Sequence, residues 1–318
     1  MTSYIIRRLI QCFVVVILVS IATFLVIRLL PGNPLMIYVH SRNLTTLTTE
    51  AQKQLMANFG LDKPLVVQYI DWIGGIFHGN FGFSYFLNQS VAFALKQRIP
   101  ITLYLGILSF IVSGILGPAF GTICAIRRGK WIDSLINAVA NIGITAPTFW
   151  LGVLMIWVFA LKLKFLPVLG YVSPFTDFWS SIKHIIMPVV CLSLPAIAGL
   201  TRQTRSSVLE VVRQEYVRTA WSKGLTERTV VLKHILKNGF IPIITVLGMF
   251  IGSILSGAVL VEVVFNINGV GQMMVNAVFS KDYVVVEAGT LMMAIAVVLA
   301  NLLVDISYGW FDPRIRFD

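Results

Sequence analysis

Charge is scarce in this chain. Asp, Glu, Lys and Arg make up 12% of its 318 residues, about half the share of a soluble domain, which is roughly 25%. A soluble protein of this length has volume for a large core but needs far more charge to cover its surface. Long uncharged runs and a hydrophobic content of 57% assign much of that surface to lipid. Cysteine is nearly missing too. Cys12, Cys124 and Cys191 fall in three separate apolar runs, where they read as small buried hydrophobes rather than disulfides or a metal site. The four histidines, His40, His78, His184 and His234, are scattered and form no cluster.

Motifs of chemistry are missing as well. His-Glu-x-x-His, Gly-x-Ser-x-Gly and acidic pairs at helical spacing within a run do not occur, so no intramembrane enzyme is indicated. There is no Gly-x-x-x-x-Gly-Lys-Ser/Thr loop. Gly129-Lys130 is followed by Trp131, and Gly121 lies too far upstream to complete the spacing. Any ATP that powers this protein must be bound by another chain.

What is present is a succession of apolar runs. Six spans are expected, at about 9–27, 101–126, 134–161, 185–201, 240–261 and 284–304, each compared with the roughly 17–25 residues a spanning helix needs. The fourth is short and carries Pro188 and Pro195. The first is too long for a signal-peptide core and lacks a small-x-small cleavage pattern, so it is expected to be retained. Residues 31–99 form an external loop segment and 202–237 a cytoplasmic loop within one transmembrane domain, 1–318.

Basic residues set the orientation. With the N-terminus inside, fifteen Lys/Arg fall on the 62 cytoplasmic positions 1–8, 127–133, 202–237 and 308–318, and nine on the 111 outer positions. That is about a threefold density difference, in the sense of the positive-inside tendency. Both termini are expected inside. The net charge of +11 is therefore explained by membrane retention, and no nucleic-acid partner is implied.

The outer segment 31–99 contains an amphipathic piece around Glu50–Phe59, a Gly60–Pro64 breaker, and Val66–Phe77 with Trp72 and Gly74-Gly75. Two readings stand: a loop on the membrane surface with Trp72, Phe77, Phe81, Phe83, Tyr85 and Phe86 in the aromatic belt, or a cap that meets an external protein. Small residues repeat at Gly117/Gly121 and at Gly248/Gly252/Ser256, a spacing that lets helices approach within one chain or between subunits. Glu262, Glu287 and Asp305 lie near span ends, where water is close, and no charge sits mid-span. An ion-coupled secondary transporter would be expected to carry one there.

Residues 202–237 carry the most information: eight Lys/Arg and three Glu in one 36-residue loop. Val208–Trp221 has apolar residues at helical spacing, Gly224 can end that helix in the left-handed conformation, and Thr226 can cap a second helix with Glu227 in its first turn. The run Glu215-Tyr216-Val217-Arg218-Thr219-Ala220-x-x-Lys223-Gly224-Leu225, followed by His234-x-Leu236-Lys237-Asn238, resembles the coupling loop of ABC-importer permeases, specifically the dipeptide/oligopeptide/nickel branch and its B-type permease. Arg218 stands where the generic signature has Glu. Arg28 to Pro34, Phe265 to Gly271, Asp282-Tyr283, and Asp305 to Arg316 with Tyr308 and Asp312-Pro313-Arg314 are similar to further signatures of that branch, Asn33 replacing Asp.

The resemblance implies an all-α integral membrane protein with six transmembrane helices, N-in/C-in, in a bacterial or archaeal cytoplasmic membrane. A cytoplasmic coupling helix lies between helices 4 and 5, carried by Glu215, Tyr216, Arg218, Thr219, Ala220, Lys223, Gly224 and Leu225. It also implies a homologous second permease subunit, two ATP-binding subunits that hold ATP and Mg, and an extracytoplasmic solute-binding protein. The chain itself needs no cofactor, metal or catalytic residue. Short peptides are the expected cargo, because the spans offer no converging His, Cys or carboxylate ligands. Nickel, opines and glutathione are the alternatives in the branch, and an ATPase-independent secondary transporter or channel is the alternative outside it.

Overall fold

A computed structural model describes residues 2–29 and 62–311. The Glu50–Phe59 piece, the Pro31–Pro34 turn and the Asp312-Pro313-Arg314 signature lie outside the described residues. The helices are α1 (Thr2–Leu29), α2 (Leu65–Phe77), α3 (Val91–Ile126), α4 (Trp131–Thr145), α5 (Thr148–Met155), α6 (Phe178–Val212), α7 (Glu215–Ser222), α8 (Glu227–Thr229), α9 (Lys237–Val264), α10 (Val270–Phe279) and α11 (Tyr283–Phe311). Wider π-helical turns continue α5 over Ile156–Lys162 and join α8 to α9 over Val230–Leu236. Strands β1 (Phe83–Ser84) and β2 (Gln89–Ser90) form an antiparallel hairpin.

Among the described residues, helices Ile5–Leu29, Val91–Ile126, Phe178–Val212, Thr245–Val264 and Tyr283–Ile306 are long and apolar enough to cross a membrane. Trp131–Thr145 and Thr148–Lys162 together make a sixth candidate, bent by 111°. The single run expected over 134–161 is thus broken. Ala146 is extended, with ψ 130, ahead of Pro147, because a proline ring clashes with a helical residue before it. The short fourth run expected over 185–201 is part of a 35-residue helix, Phe178–Val212, with Pro188 and Pro195 inside. At 1.5 Å per residue it is about 52 Å long, far more than a bilayer core requires. Its start is capped by Asp177, which accepts a hydrogen bond from Ser180 N–H.

The chain divides into two compact units. One comprises Met1–Leu9, Leu103–Ile267 and Leu299–Asp318, and α6 is its axis: α4, α5 and α9 all pack on it. The C-terminal half of α3 joins them through Gly117 and Gly121. A Cβ on Gly121 would stand 2.5 Å from the Thr201 carbonyl oxygen and from Thr204 Cβ. Only a residue without a side chain fits, and the close approach lets Thr201 donate to the Gly117 carbonyl at 3.3 Å. The repeat of small residues serves packing within the chain here.

At the end of this unit that carries α7, Arg205 of α6 clamps Asp133 in the first turn of α4. Its Nε and Nη2 donate to the two carboxylate oxygens, each at 3.0 Å. The same carboxylate accepts from Gly129 N–H at 3.1 Å and from Asn137 Nδ2 at 2.6 Å, and Arg202 donates to Asn141 at 3.1 Å. Asp133 is only 6% exposed, so its charge is tolerated because every face of it is satisfied. Asp305 pairs with Arg8 at 3.1 Å.

The second unit comprises Ile10–Thr102 and Asn268–Val298. Its core joins Val91, Ala94 and Leu95 of α3, Val270, Met273 and Ala277 of α10, and Val285 and Ala288 of α11. Thr102 accepts from Val270 N–H at 2.9 Å, satisfying a donor at the start of α10. Ser84 of the hairpin donates to the Asp282 carboxylate, which stands before α11. Burial pushes the Asp282 carboxyl above its ordinary value, and the Ser84 hydrogen bond pulls the other way.

The expectation that span-end acids sit beside water is corrected for two of them. Glu262 is fully buried and Glu287 is 4% exposed. Protein surrounds them, as it does most ionisable groups at membrane depth.

The clamp generates a prediction. Asp133→Ala removes the carboxylate that Arg205, Asn137 and the Gly129 N–H share. Because Arg205 is 29% exposed at its side chain, the cost falls below that of a fully buried pair, at about 2 kcal/mol. A lower thermal midpoint of the purified protein in detergent or nanodiscs is expected. Asp133→Ala combined with Arg205→Leu should recover part of it, since the stranded charge is gone.

Candidate functional site

The extended α6 ends at Val212, and Arg213 and Gln214 turn the chain before α7 begins. The continuous helix expected over Val208–Trp221 is therefore two helices. Gln214 is extended, with ψ 144, which fixes the break. Glu215 lies in the first turn of α7, where a carboxylate is favoured by the positive end of the helix dipole. Thr219 Oγ1 donates back to the Glu215 carbonyl at 3.0 Å and Ser222 Oγ to that of Arg218 at 3.1 Å.

Two of its eight residues are buried. Val217 and Ala220 are 0% and 4% exposed and enter a cluster with Ala125 of α3, Val208 of α6, and Val230, Val231 and Ile235 of the π-helical turn. Three elements thus form one seat beneath a two-turn helix. A helix this short is marginal alone; the apolar contact holds it.

The rest of the helix faces outward. Of the residues expected at the site, Glu215, Tyr216, Arg218, Thr219, Lys223, Gly224 and Leu225 are exposed, and Ala220 is on the buried side. Ala220 acts through packing. Arg218 and Glu215 pair at 3.3 Å with side chains 75% and 86% exposed, an interaction worth at most about 0.5 kcal/mol in water, so both charges stay available to a partner. Trp221, exposed at 45% beside Tyr216 at 42%, belongs to the same surface. It was missed because it occupies a variable position of the motif; an aromatic residue on a short polar helix outside the spans was the available signal.

Gly224 closes the helix. Its φ of +74° is left-handed, its N–H bonds the Trp221 carbonyl at 2.9 Å, and nothing lies within 4 Å of where a Cβ would stand. Glycine is needed for its backbone, not for space. Thr226 precedes the next helix but makes no side-chain cap to its backbone; its hydroxyl meets that of Thr229 at 2.9 Å. That helix does not end before 238 as a separate loop element would: α8, the π turn and α9 run continuously to Val264.

The outward side of this seated helix mixes exposed apolar and charged groups. Residues 1–106 match the N-terminal family of membrane components of binding-protein-dependent transport systems, and residues 117–317 match the inner membrane component family of the same systems. A probable peptide ABC transporter permease of Sinorhizobium fredii is 37% identical over the whole of both chains. A di/tripeptide transport system permease of Pseudomonas aeruginosa and a dipeptide transport system permease of Escherichia coli are each 35% identical over 99% of both chains. Two inward-facing structures of a methionine ABC transporter share the fold, with TM-scores of 0.54 and 0.57 at 17% and 16% identity, over 69% of this chain and 97% of theirs. The chain belongs to the family of inner membrane components of binding-protein-dependent transport systems.

Proposed function

We propose that this chain forms half of the translocation pathway of an ATP-driven importer of short peptides, with α7 as its coupling helix. The observation that carries the reading is α7 itself: two buried residues seat it on α3, α6 and the π turn, and its outer face is exposed. An ATP-binding subunit is that partner. The chain pairs with a homologous permease and two such subunits, and an extracytoplasmic binding protein delivers the cargo. Six spans with both termini inside put α7 and the clamp in the cytoplasm, in keeping with the distribution of Lys and Arg.

Closure of the ATPase pair pushes on Tyr216, Arg218, Trp221 and Leu225. Because Val217 and Ala220 are locked into the cluster, the push passes to Val208 on α6 and to Val230, Val231 and Ile235, continuous with α9. With Ala125 of α3 in the same cluster, three span-forming helices thus receive one displacement. Peptide cargo is supported by the names of the full-length relatives.

Three outcomes are expected. Reporters fused at the N-terminus, near Lys223 and after Asp318 should read cytoplasmic and one near Val172 external; termini on opposite faces would refute the six-span orientation. In a strain lacking the native genes, the assembled transporter should restore uptake of labelled di- or tripeptides, and restoration of nickel uptake alone would overturn the cargo. The variant Gly224→Val forces a β-branched residue to positive φ, at a cost of about 1–3 kcal/mol. It should insert normally while losing copurified ATPase subunits or transport; unchanged transport would remove Gly224 from the coupling mechanism.

A further inference from the structure

Helix α2 (Leu65–Phe77) contains no buried residue, yet its contacts place it at a definite depth. The hydroxyl of Tyr69 is 2.8 Å from that of Ser20 in α1. The Phe24 ring meets Tyr69 edge-on at 5.5 Å and lies 6.0 Å from Trp72, and the Arg28 guanidinium stands 5.0 Å from its centroid. Ser20, Phe24 and Ile27 are the buried positions among the described side chains of α1, spaced four and three apart as one stripe.

Charges calibrate the depth of that stripe. Nineteen uncharged residues separate Arg8 from Arg28, about 28 Å of helix against a hydrocarbon core of about 30 Å. The Arg28 guanidinium lies over the Phe24 ring, so Phe24 lies at most about 6 Å below the outer boundary and Ser20 one further turn down, at most about 12 Å below it. A tilt of about 20° shortens these depths by less than a tenth. The Trp72 ring at the level of Phe24 and the Tyr69 hydroxyl at that of Ser20 are out of reach for a helix resting above the headgroups.

The remaining sides of α2 agree. Val66, Ile70 and Phe77 are 69%, 58% and 81% exposed and fall on one arc beside the arc that meets α1. Gln68, Asp71 and His78 occupy the opposite arc, where Lys63 pairs with Asp71 at 2.8 Å and Gln68 donates to the Lys63 carbonyl at 2.8 Å. Neighbouring α1 positions on the same level, Ile21, Leu25, Val26 and Leu29, are themselves exposed apolar residues of a spanning helix, so the bare arc of α2 continues a lipid-covered surface. Asp62, Lys63 and Asp71 give this stretch no positive excess, so burial rather than attraction to anionic headgroups supplies the binding.

We infer that α2 is an amphipathic helix immersed in the outer leaflet, held to α1 through Tyr69, Trp72, Ser20 and Phe24, with Val66, Ile70 and Phe77 covered by lipid acyl chains. The inference rests on the orientation of α1 and is independent of the cargo.

The test uses the full transporter in nanodiscs, with Cys12, Cys124 and Cys191 replaced and a nitroxide attached in turn at V66C, I70C, F77C and D71C. Collisions with oxygen should dominate at the first three sites and those with a water-soluble nickel chelate at Asp71, with or without the binding protein. Nickel-chelate access at Val66, Ile70 and Phe77 would overturn the proposal in favour of a water-exposed loop. Protection from both reagents, or protection only on adding the binding protein, would overturn it in favour of a protein partner. For any label that prevents assembly, the unlabelled transporter in brominated phospholipid gives the same reading by electron microscopy: acyl-chain bromine density beside Val66, Ile70 and Phe77 supports the proposal, and its absence there with density along α1 refutes it.

Discussion

A helix longer than the bilayer is thick must be held where it leaves the lipid, and Arg205 with Asp133 does this for α6 (Phe178–Val212). Within lipid a helix is supported by its own backbone hydrogen bonds and by close packing, which α6 obtains where Gly117 and Gly121 bring α3 against its backbone. Past Thr201 the sequence turns polar, and packing alone no longer decides the direction of the chain. The guanidinium fork and the carboxylate do, because two parallel hydrogen bonds fix orientation as well as distance. Gly129 and Asn137 complete the carboxylate's shell, so one pair positions the turn before α4 together with the end of α6. Everything that follows, including the seat of α7, is built on that fixed end.

The seat converts a weak local structure into a rigid one. Eight residues carry too few hydrogen bonds to hold a helix in water, and the Glu215–Arg218 pair is too exposed to add much. Val217 and Ala220 supply the difference by burial against α3, α6 and the π turn. Ala220 lies on the buried side of the helix and packs into the cluster. The outer face stays exposed, and it mixes aromatic, aliphatic and charged groups as protein interfaces do.

The sequence made the class legible because lipid imposes a simple rule, long uncharged runs, and it made α7 legible because the motif from Glu215 to Leu225 is dense. The sequence reading failed at boundaries where two forces compete. At Ala146-Pro147 hydropathy continues while backbone sterics break the helix. At Arg202 the charge suggests a loop, yet the helix goes on because its polar residues meet Asp133 and Asn141 on α4. Glu262 and Glu287 looked accessible by position along the chain, but burial is a property of neighbours far apart in sequence. Asp133 went unmarked for the same reason: an isolated acid after a basic turn gains its meaning only when Arg205, 72 residues later, arrives beside it.

In the proposed coupling, the path from α7 into the spans accounts for a segment that is not an ordinary loop. A flexible connection would absorb a displacement, since each unconstrained residue adds freedom that must be taken up before force is transmitted. Here slack is confined to two places: the Arg213-Gln214 turn and Gly224 at φ +74°. Between them stands a seated helix, and beyond Gly224 the helical backbone resumes at Glu227 and runs without interruption through the π turn to Val264. A π turn is wider than an α turn and costs energy to maintain, and the buried side chains of Val230, Val231 and Ile235 hold it in place. A small shift of α7 is therefore resolved at its two hinges or passed on to α3, α6 and α9. With the hinges this short, the second outcome is the one the packing favours.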